Sequence, residues 1–309
     1  MSRADPILPR KPRKRERGAR LAWGSAPRRE AVSAFLFLCL FLWPGFCAPA
    51  HAALPVRAAI MVNLTTGRVL YEQQADTVIP PASLAKIMTM FVTLDSVKRG
   101  RLTLHEKIRI SPQAASTGGS AMHLRAGERT PLVRLLTGMA VASGNDAATA
   151  VAQRVGGNSR HFVRLMNRKA RALGLRRTLF KNPTGLPAAG QKTTARDMML
   201  LTRAYLRAHP AAMRFHSTRF FMHRGRTLRN TNTLLGRVEG VTGLKTGWTV
   251  ASGYNLVITA QRGKTRLLIV ILGGKTKTER DRAARRLVEA GFRHAGAPGK
   301  VRSVLARGR

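Results

Sequence analysis

Three short clusters of polar residues, far apart in the chain, have the types and spacing for acyl transfer: Ser83-Leu84-Ala85-Lys86, Ser143-Gly144-Asn145 and Lys245-Thr246-Gly247. A serine hydroxyl is a weak nucleophile until a neighbouring group takes its proton. On a helix, residues three apart share a face, so the amine of Lys86 comes within reach of the Ser83 hydroxyl. Lysine serves as that base only where burial and nearby positive charge keep part of it neutral, and Lys245 is the candidate source of the charge. Ser143 can relay a proton toward a leaving amine, while the Asn145 amide can hold Lys86 and bond a substrate amide. Lys245 and Thr246 suit a substrate carboxylate. The helix N-terminus at Ser83 and the backbone N–H of Trp248 would offer two donors to a tetrahedral oxyanion. Each cluster alone also reads as ordinary local structure: Ser83 as a helix cap, Ser143-Gly144-Asn145 as a turn, Lys245-Thr246-Gly247 as a strand end. Their joint presence, each at a junction between elements, is what points to one site.

Those residues need elements to hold them. Ala58–Asn63 and Arg68–Glu72, separated by Thr65-Thr66-Gly67, read as a β-hairpin. After Pro80-Pro81 the spacing of Leu84, Ile87, Met88 and Phe91 predicts a buried helix up to Gly100, with Ser83 capping it. Three further helical patterns fill residues 130–173, and the loop Asn182-Pro183-Thr184-Gly185 precedes another helix from Thr194 to Arg207. Strands are expected at Gly243–Gly247, Tyr254–Arg262 and Thr265–Gly273, the last two turning at Gly263-Lys264, before a closing helix over Glu279–Phe292. This order predicts an α/β (α+β) chain in which both ends of the sequence meet in one sheet and a helical lobe is inserted between them.

The amino terminus is of another kind. The first thirty residues are basic and lack apolar periodicity, Ala31–Trp43 is uncharged and apolar, and Ala50-His51-Ala52 offers a small-x-small cleavage site. That apolar run is shorter than a spanning helix requires, so residues 1–52 read as a basic leader and signal peptide of an exported chain. Residues 53–295 read as the working domain and 296–309 as a disordered basic tail. Both cysteines, Cys39 and Cys47, fall in the leader, which removes disulfide and thiol chemistry from the mature chain. The histidines show no metal-ligand spacing, and neither metal nor cofactor is expected. Lys and Arg number 55 against 14 acids; residues 1–52 hold 10 and 3 of these, leaving 45 and 11, a net +34. Such a charge favours contact with an anionic wall or membrane surface. It is spread along the chain without interleaved aromatics, so no nucleic-acid platform is expected.

Five stretches resemble the low-molecular-mass D-alanyl-D-alanine carboxypeptidase family of penicillin-binding proteins: Leu64–Asp76 (LTTGRVLYEQQAD), Pro81–Thr89 (PASLAKIMT), Gly138–Ala147 (GMAVASGNDA), Phe180–Leu186 (FKNPTGL) and Gly240–Thr249 (GVTGLKTGWT). The resemblance covers roughly Pro55 to Gly274. It implies a β-lactamase/transpeptidase-like fold, an antiparallel sheet flanked by helices with an all-helical subdomain. It also implies Ser83 as acyl-enzyme nucleophile, Lys86 as proton acceptor, Ser143 as second catalytic serine and Lys245 as a substrate ligand. The expected site comprises these four with Asn145, Thr246, Gly247 and Trp248 from the clusters above. Peptidoglycan peptides ending in D-Ala-D-Ala would be the substrates and β-lactams the inhibitors. Two features depart from the pattern. Trp248 stands where members often carry His, and the chain stops about 35 residues after its last strand, as in the shorter endopeptidase branch. The expectation is a serine D-Ala-D-Ala carboxypeptidase, with a D,D-endopeptidase of cross-links as the alternative. A non-catalytic wall-binding module would be expected to lose Ser83 or Lys86. A β-lactamase would need a carboxylate base, and no Glu-x-x-Leu-Asn lies between the second and third clusters.

Overall fold

Apolar runs from both ends of the domain sequence build one sheet, and helices cover its two faces. The computed structural model describes residues 53–306; the leader, its cleavage site and both cysteines lie outside the described residues. The chain runs through β1 (Ala58–Asn63), β2 (Val69–Gln73), a 3-10 turn at Ala82–Leu84, α1 (Ala85–Lys98), β3 (Lys107–Arg109), α2 (Pro112–Ala115), β4 (Arg129–Pro131), α3 (Leu132–Val141), α4 (Asn145–Gly156) and α5 (Ser159–Ala172). It continues through α6 (Ala195–Ala208), α7 (Met213–Ser217), β5 (Phe220–His223), β6 (Arg226–Arg229), β7 (Val241–Thr249), β8 (Gly253–Arg262), β9 (Thr265–Gly274), α8 (Lys277–Arg293) and α9 (Pro298–Ala306).

The main sheet is antiparallel, in the order β2-β1-β9-β8-β7. β1 lies against β9, with Ile60 opposite Val270, so the two ends of the domain do meet as the sequence predicts. Strands β8 and β9 are covered on both faces, which is why they read as unbroken apolar runs rather than as alternation. On one face α8 packs Ala284, Leu287 and Val288 against Met61, Ile269 and Ile271. On the other, α1 and α6 join the sheet to the helical lobe through Ile87, Met88, Leu201 and Val270. β7 is left as an edge strand.

Every residue of α1 from Ala85 to Leu94 is buried. A helix buried all round belongs in the core; its Thr89 and Thr93 hydroxyls are settled on backbone carbonyls, and Lys86, with no exposed surface, is the one charged group among its buried residues. Other helices are capped by side chains: Asn158, Thr194 and Thr276 each accept from the backbone N–H three residues on. α1 is not. It grows directly out of the 3-10 turn that contains Ser83, and no side chain caps it. Ser83 is therefore not the N-cap the sequence suggests, and its hydroxyl is spared for another partner.

The basic tail also differs from expectation. Residues 298–306 form α9, whose Val301 and Leu305 are buried with Leu54, Val56 and Leu70. The aliphatic residues Val301, Val304 and Leu305, set among Lys, Arg, Ser and Gly, were too sparse a signal to overrule the charge. The β5–β6 hairpin was missed for a similar reason. Its strands are mostly exposed, and its two-residue turn uses Arg224 and Gly225, both at positive φ. If α9 is part of the core, Leu305→Ala should lower unfolding free energy by about 2 kcal/mol or more in urea denaturation. A loss under about 0.5 kcal/mol would mean that the segment does not pack.

Candidate active site

Three segments meet at Ser83. Its 3-10 turn holds Ala82 at φ 48, a left-handed conformation uncommon outside glycine and sustained only where surroundings enforce it. The enforcement is visible on both sides. Gly185, at φ 83, lies so close that a Cβ there would stand 1.8 Å from the Ala82 carbonyl oxygen. A Cβ on Gly247 would stand 3.0 Å from the Ser83 nitrogen. The turn is thus clamped between the Asn182–Gly185 loop, which admits only hydrogen at its contact, and strand β7, where a Cβ on Gly247 would fit only tightly.

Lys86, one turn of backbone beyond, points its amine into this junction. Its Nζ lies 3.0 Å from Ser83 Oγ, 2.6 Å from Asn145 Oδ1 and 2.7 Å from the Thr184 carbonyl oxygen. Burial pushes the Lys86 amine well below the ordinary lysine range, and the nearby charge of Lys245 pushes the same way against a smaller opposing pull from Asp146. The partners then fix where the lone pair goes. Asn145 Nδ2 donates to the Gly118 carbonyl at 2.6 Å, so its Oδ1 faces Lys86 and can only accept. The Thr184 carbonyl can only accept as well. A neutral amine has two N–H bonds for these two acceptors, which leaves its lone pair directed at the Ser83 hydroxyl.

Ser143 follows the C-terminus of α3 at φ 61, another left-handed position. Its hydroxyl is buried, and it has no hydrogen-bond partner among the described residues, Ser83 and Lys86 included. The adjoining turn is firmly held. The Asn145 N–H donates to the Ser120 carbonyl at 2.7 Å, and the Asp146 carboxylate accepts from the backbone N–H groups of Met122, Leu124 and Ala147.

The third cluster lies on β7, directly against the Ser83 turn. Lys245 is also buried, and burial, reinforced by the charge of Arg280, brings it down to about 7. Its Nζ donates to the Thr246 carbonyl at 3.0 Å. The Thr246 hydroxyl donates to the Thr231 hydroxyl at 2.7 Å. Trp248 is 54% exposed at the outer end of the strand, its ring 5.8 Å from that of Tyr254. Ser83, Lys86 and Asn145 are therefore joined by direct hydrogen bonds and Gly247 by backbone contact, while Ser143, Lys245, Thr246 and Trp248 bond to none of them.

Sequence reading missed Thr184, Gly185, Asp146 and Thr231. Asn182-Pro183-Thr184-Gly185 was visible as a loop, but the meeting of its carbonyl with an amine 98 positions earlier is a tertiary fact.

A family model described as D-alanyl-D-alanine carboxypeptidase, peptidase S11, matches residues 47–276. The chain belongs to this family. The D-alanyl-D-alanine carboxypeptidase DacF of Bacillus subtilis is 37% identical over 248 residues, 79% of this chain and 63% of DacF, so the S11 chain spans less than two thirds of that relative. The D-alanyl-D-alanine endopeptidase of Pseudomonas aeruginosa is 33% identical over 260 residues, covering 79% of this chain and 82% of its own. Penicillin-binding protein D2 of Listeria monocytogenes, solved in an ampicillin-bound form, superposes with a TM-score of 0.68 at 32% identity, over 78% of this chain and 99% of that one. The S11 fold expected from the sequence, an antiparallel sheet flanked by helices with a helical subdomain, is the one observed.

The position of Asn145 allows a test of the electrostatics. Asn145→Asp would set a carboxylate beside Lys86 Nζ, favour the ammonium form and raise its pKa, typically by 1–3 units for a close opposite charge. The acid limb of the penicillin acylation profile should move to higher pH, and the rate at pH 7 should fall about tenfold or more. An unmoved limb would mean that Lys86 does not govern acylation.

Proposed function

We propose that this chain is an exported serine D-alanyl-D-alanine carboxypeptidase that trims peptidoglycan stem peptides through an acyl-enzyme on Ser83. The observation that carries the reading is the buried Lys86 amine, with both N–H bonds claimed by obligate acceptors and its lone pair left for Ser83 Oγ. In this reading Lys86 takes the hydroxyl proton as Ser83 attacks the carbonyl of the penultimate D-Ala. Lys86 then gives that proton up through the Ser143 hydroxyl, which is otherwise unengaged, to the departing amine of the terminal D-Ala, and is a free base again. Asn145 orients Lys86 and meets the substrate amide. Lys245 and Thr246 receive the terminal carboxylate, and binding that anion favours the charged form of a lysine otherwise near half protonation at pH 7. The N–H groups of Ser83 and Trp248 serve the oxyanion, with Gly247 allowing β7 to approach the turn. Water then releases the acyl group with Lys86 again as base.

A second reading, cleavage of D,D cross-links, is favoured by the fuller coverage of the endopeptidase relative. β-Lactams acylate Ser83 in either case. Export rests on the apolar run and the small-x-small site before Ala53. The +34 charge after cleavage attaches the protein electrostatically to anionic wall or membrane, so it should leave those fragments near 1 M salt, where the Debye length is only about 3 Å.

The protein should release D-Ala from purified muropeptide monomers, identified by mass, and Ser83→Ala should abolish both this and labelling by a fluorescent penicillin. Lys86→Ala should slow labelling by about two to four orders of magnitude. Cleavage of cross-linked dimers alone would favour the endopeptidase, and labelling that survives Ser83→Ala would remove Ser83 from its role.

A further inference from the structure

Against β7 lies a buried histidine that the proposed reaction leaves unused. His216, in α7, and Tyr205, in α6, have no exposed surface. The Tyr205 hydroxyl stands 3.1 Å from His216 Nε2, and His216 Nδ1 stands 3.2 Å from the Leu244 carbonyl oxygen on β7. Burial brings His216 down to about 3 against the pull of the Leu244 hydrogen bond, with the charge of Lys245 adding to the effect of burial, so the ring is neutral near pH 7. A carbonyl only accepts. Nδ1 therefore carries the one ring proton, and Nε2 accepts from Tyr205.

Two segments of the carboxylate site converge on this residue. Its ring holds Leu244, immediately before Lys245 and Thr246. Its backbone carbonyl accepts from Asn230 Nδ2 at 3.3 Å, and Asn230 also donates to the Thr218 carbonyl at 2.9 Å. Asn230 immediately precedes Thr231, whose hydroxyl accepts from that of Thr246. One histidine thus spaces both strands of chain that meet at the Thr231–Thr246 contact.

The contact also falls on the outer edge of β7. In an antiparallel pair, alternate residues turn their N–H and C=O toward the partner strand and those between turn them away. β7 ends the main sheet with β8 on one side, and its register is regular from Gly243 to Thr249. Leu244, whose carbonyl accepts from His216, belongs to the outward set, and so do Thr246 and Trp248, two and four residues on. The Thr246 carbonyl takes Lys245 Nζ, and the Trp248 N–H is the donor assigned above to the oxyanion. α7 approaches so closely that a Cβ on Gly243 would stand 3.1 Å from His216 Cβ. His216 therefore fills the first position of the same backbone row that serves the substrate.

We propose that His216, held in one tautomer by Tyr205, is a positioning residue for the substrate's terminal carboxylate. It touches no substrate and acts through Leu244 and Asn230, which set where Lys245, Thr246 and Thr231 stand around that group. The inference rests on the carboxypeptidase reading above and deepens it, from the groups that receive the carboxylate to the pair that places them.

The test compares the acid and the carboxamide of one acetylated D-Ala-D-Ala peptide, with affinities measured by calorimetry on the Ser83→Ala protein. The acid should bind about tenfold tighter, as expected for one charge-assisted hydrogen bond. Adding His216→Leu, which removes the donor to Leu244, should weaken the acid about tenfold and leave the carboxamide within about twofold. His216→Asn, whose side-chain N–H can stand where Nδ1 does, should recover most of that loss. Tyr205→Phe should weaken the acid about threefold, and it carries the test if His216→Leu does not fold. Equal weakening of acid and carboxamide would show a merely structural histidine and overturn the proposal. Acid affinity that survives His216→Leu, or that His216→Asn does not recover, would overturn it as well. A Ser83→Ala protein with no preference for the acid would instead remove the carboxylate site itself. D-Ala release by the protein with Ser83 intact is read separately, so failure of the carboxypeptidase reading is distinguishable from failure of the positioning role.

Discussion

The structure turns on a lysine amine that has no exposed surface. Lys86 sits in the first turn of a helix buried on every side. A charge there is costly unless paired, and the pairing that exists consists of neutral dipoles, two of them unable to donate. Burial and the charge of Lys245 favour the neutral amine, and the geometry of the partners aims its lone pair. Had either acceptor been a carboxylate, the ammonium form would be favoured and the base lost.

Much of the remaining architecture follows from delivering three segments to that amine. The sheet brings β7 to the Ser83 turn, the helical lobe delivers Asn145, and the Asn182–Gly185 loop supplies a carbonyl from a third direction. Close approach has a backbone cost, visible at Ala82 and Ser143, which occupy left-handed conformations. The neighbours of the Ser83 turn are as specific as the reactive groups: Gly185 has no room for a methyl group at its contact with Ala82, and Gly247 only a tight fit for one beside the Ser83 nitrogen. Lys245 is the electrostatic counterpart of Lys86: it is buried and brought down to about 7, so it is sensitive to any carboxylate that arrives beside it.

What was legible in the sequence was whatever depends on local pattern. The sheet strands announced themselves as apolar runs, α1 by its helical period, and the Ser83–Lys86 contact by a spacing that a helix converts directly into proximity. The pairing of Asn145 with Lys86 was anticipated from side-chain chemistry and is observed. Features that depend on long-range contact were hidden. Thr184 contributes only a carbonyl, which every residue has, and Thr231 a hydroxyl among many. The helical start led Ser83 to be read as a cap, whereas the clash-limited clamp on both sides of the turn imposes a 3-10 entry with no side-chain cap at all. α9 was hidden because its two anchoring side chains make sense only against β2 and α8.

The most direct test of this account is the titration of Lys86 itself, followed by NMR of the protein carrying isotope-labelled lysine, with Lys86→Arg to assign the resonance. The signal should titrate well below the ordinary lysine value of about 10.5. A Lys86 resonance that titrates in the ordinary lysine range would show a fully charged ammonium at neutral pH and contradict its assignment as the base.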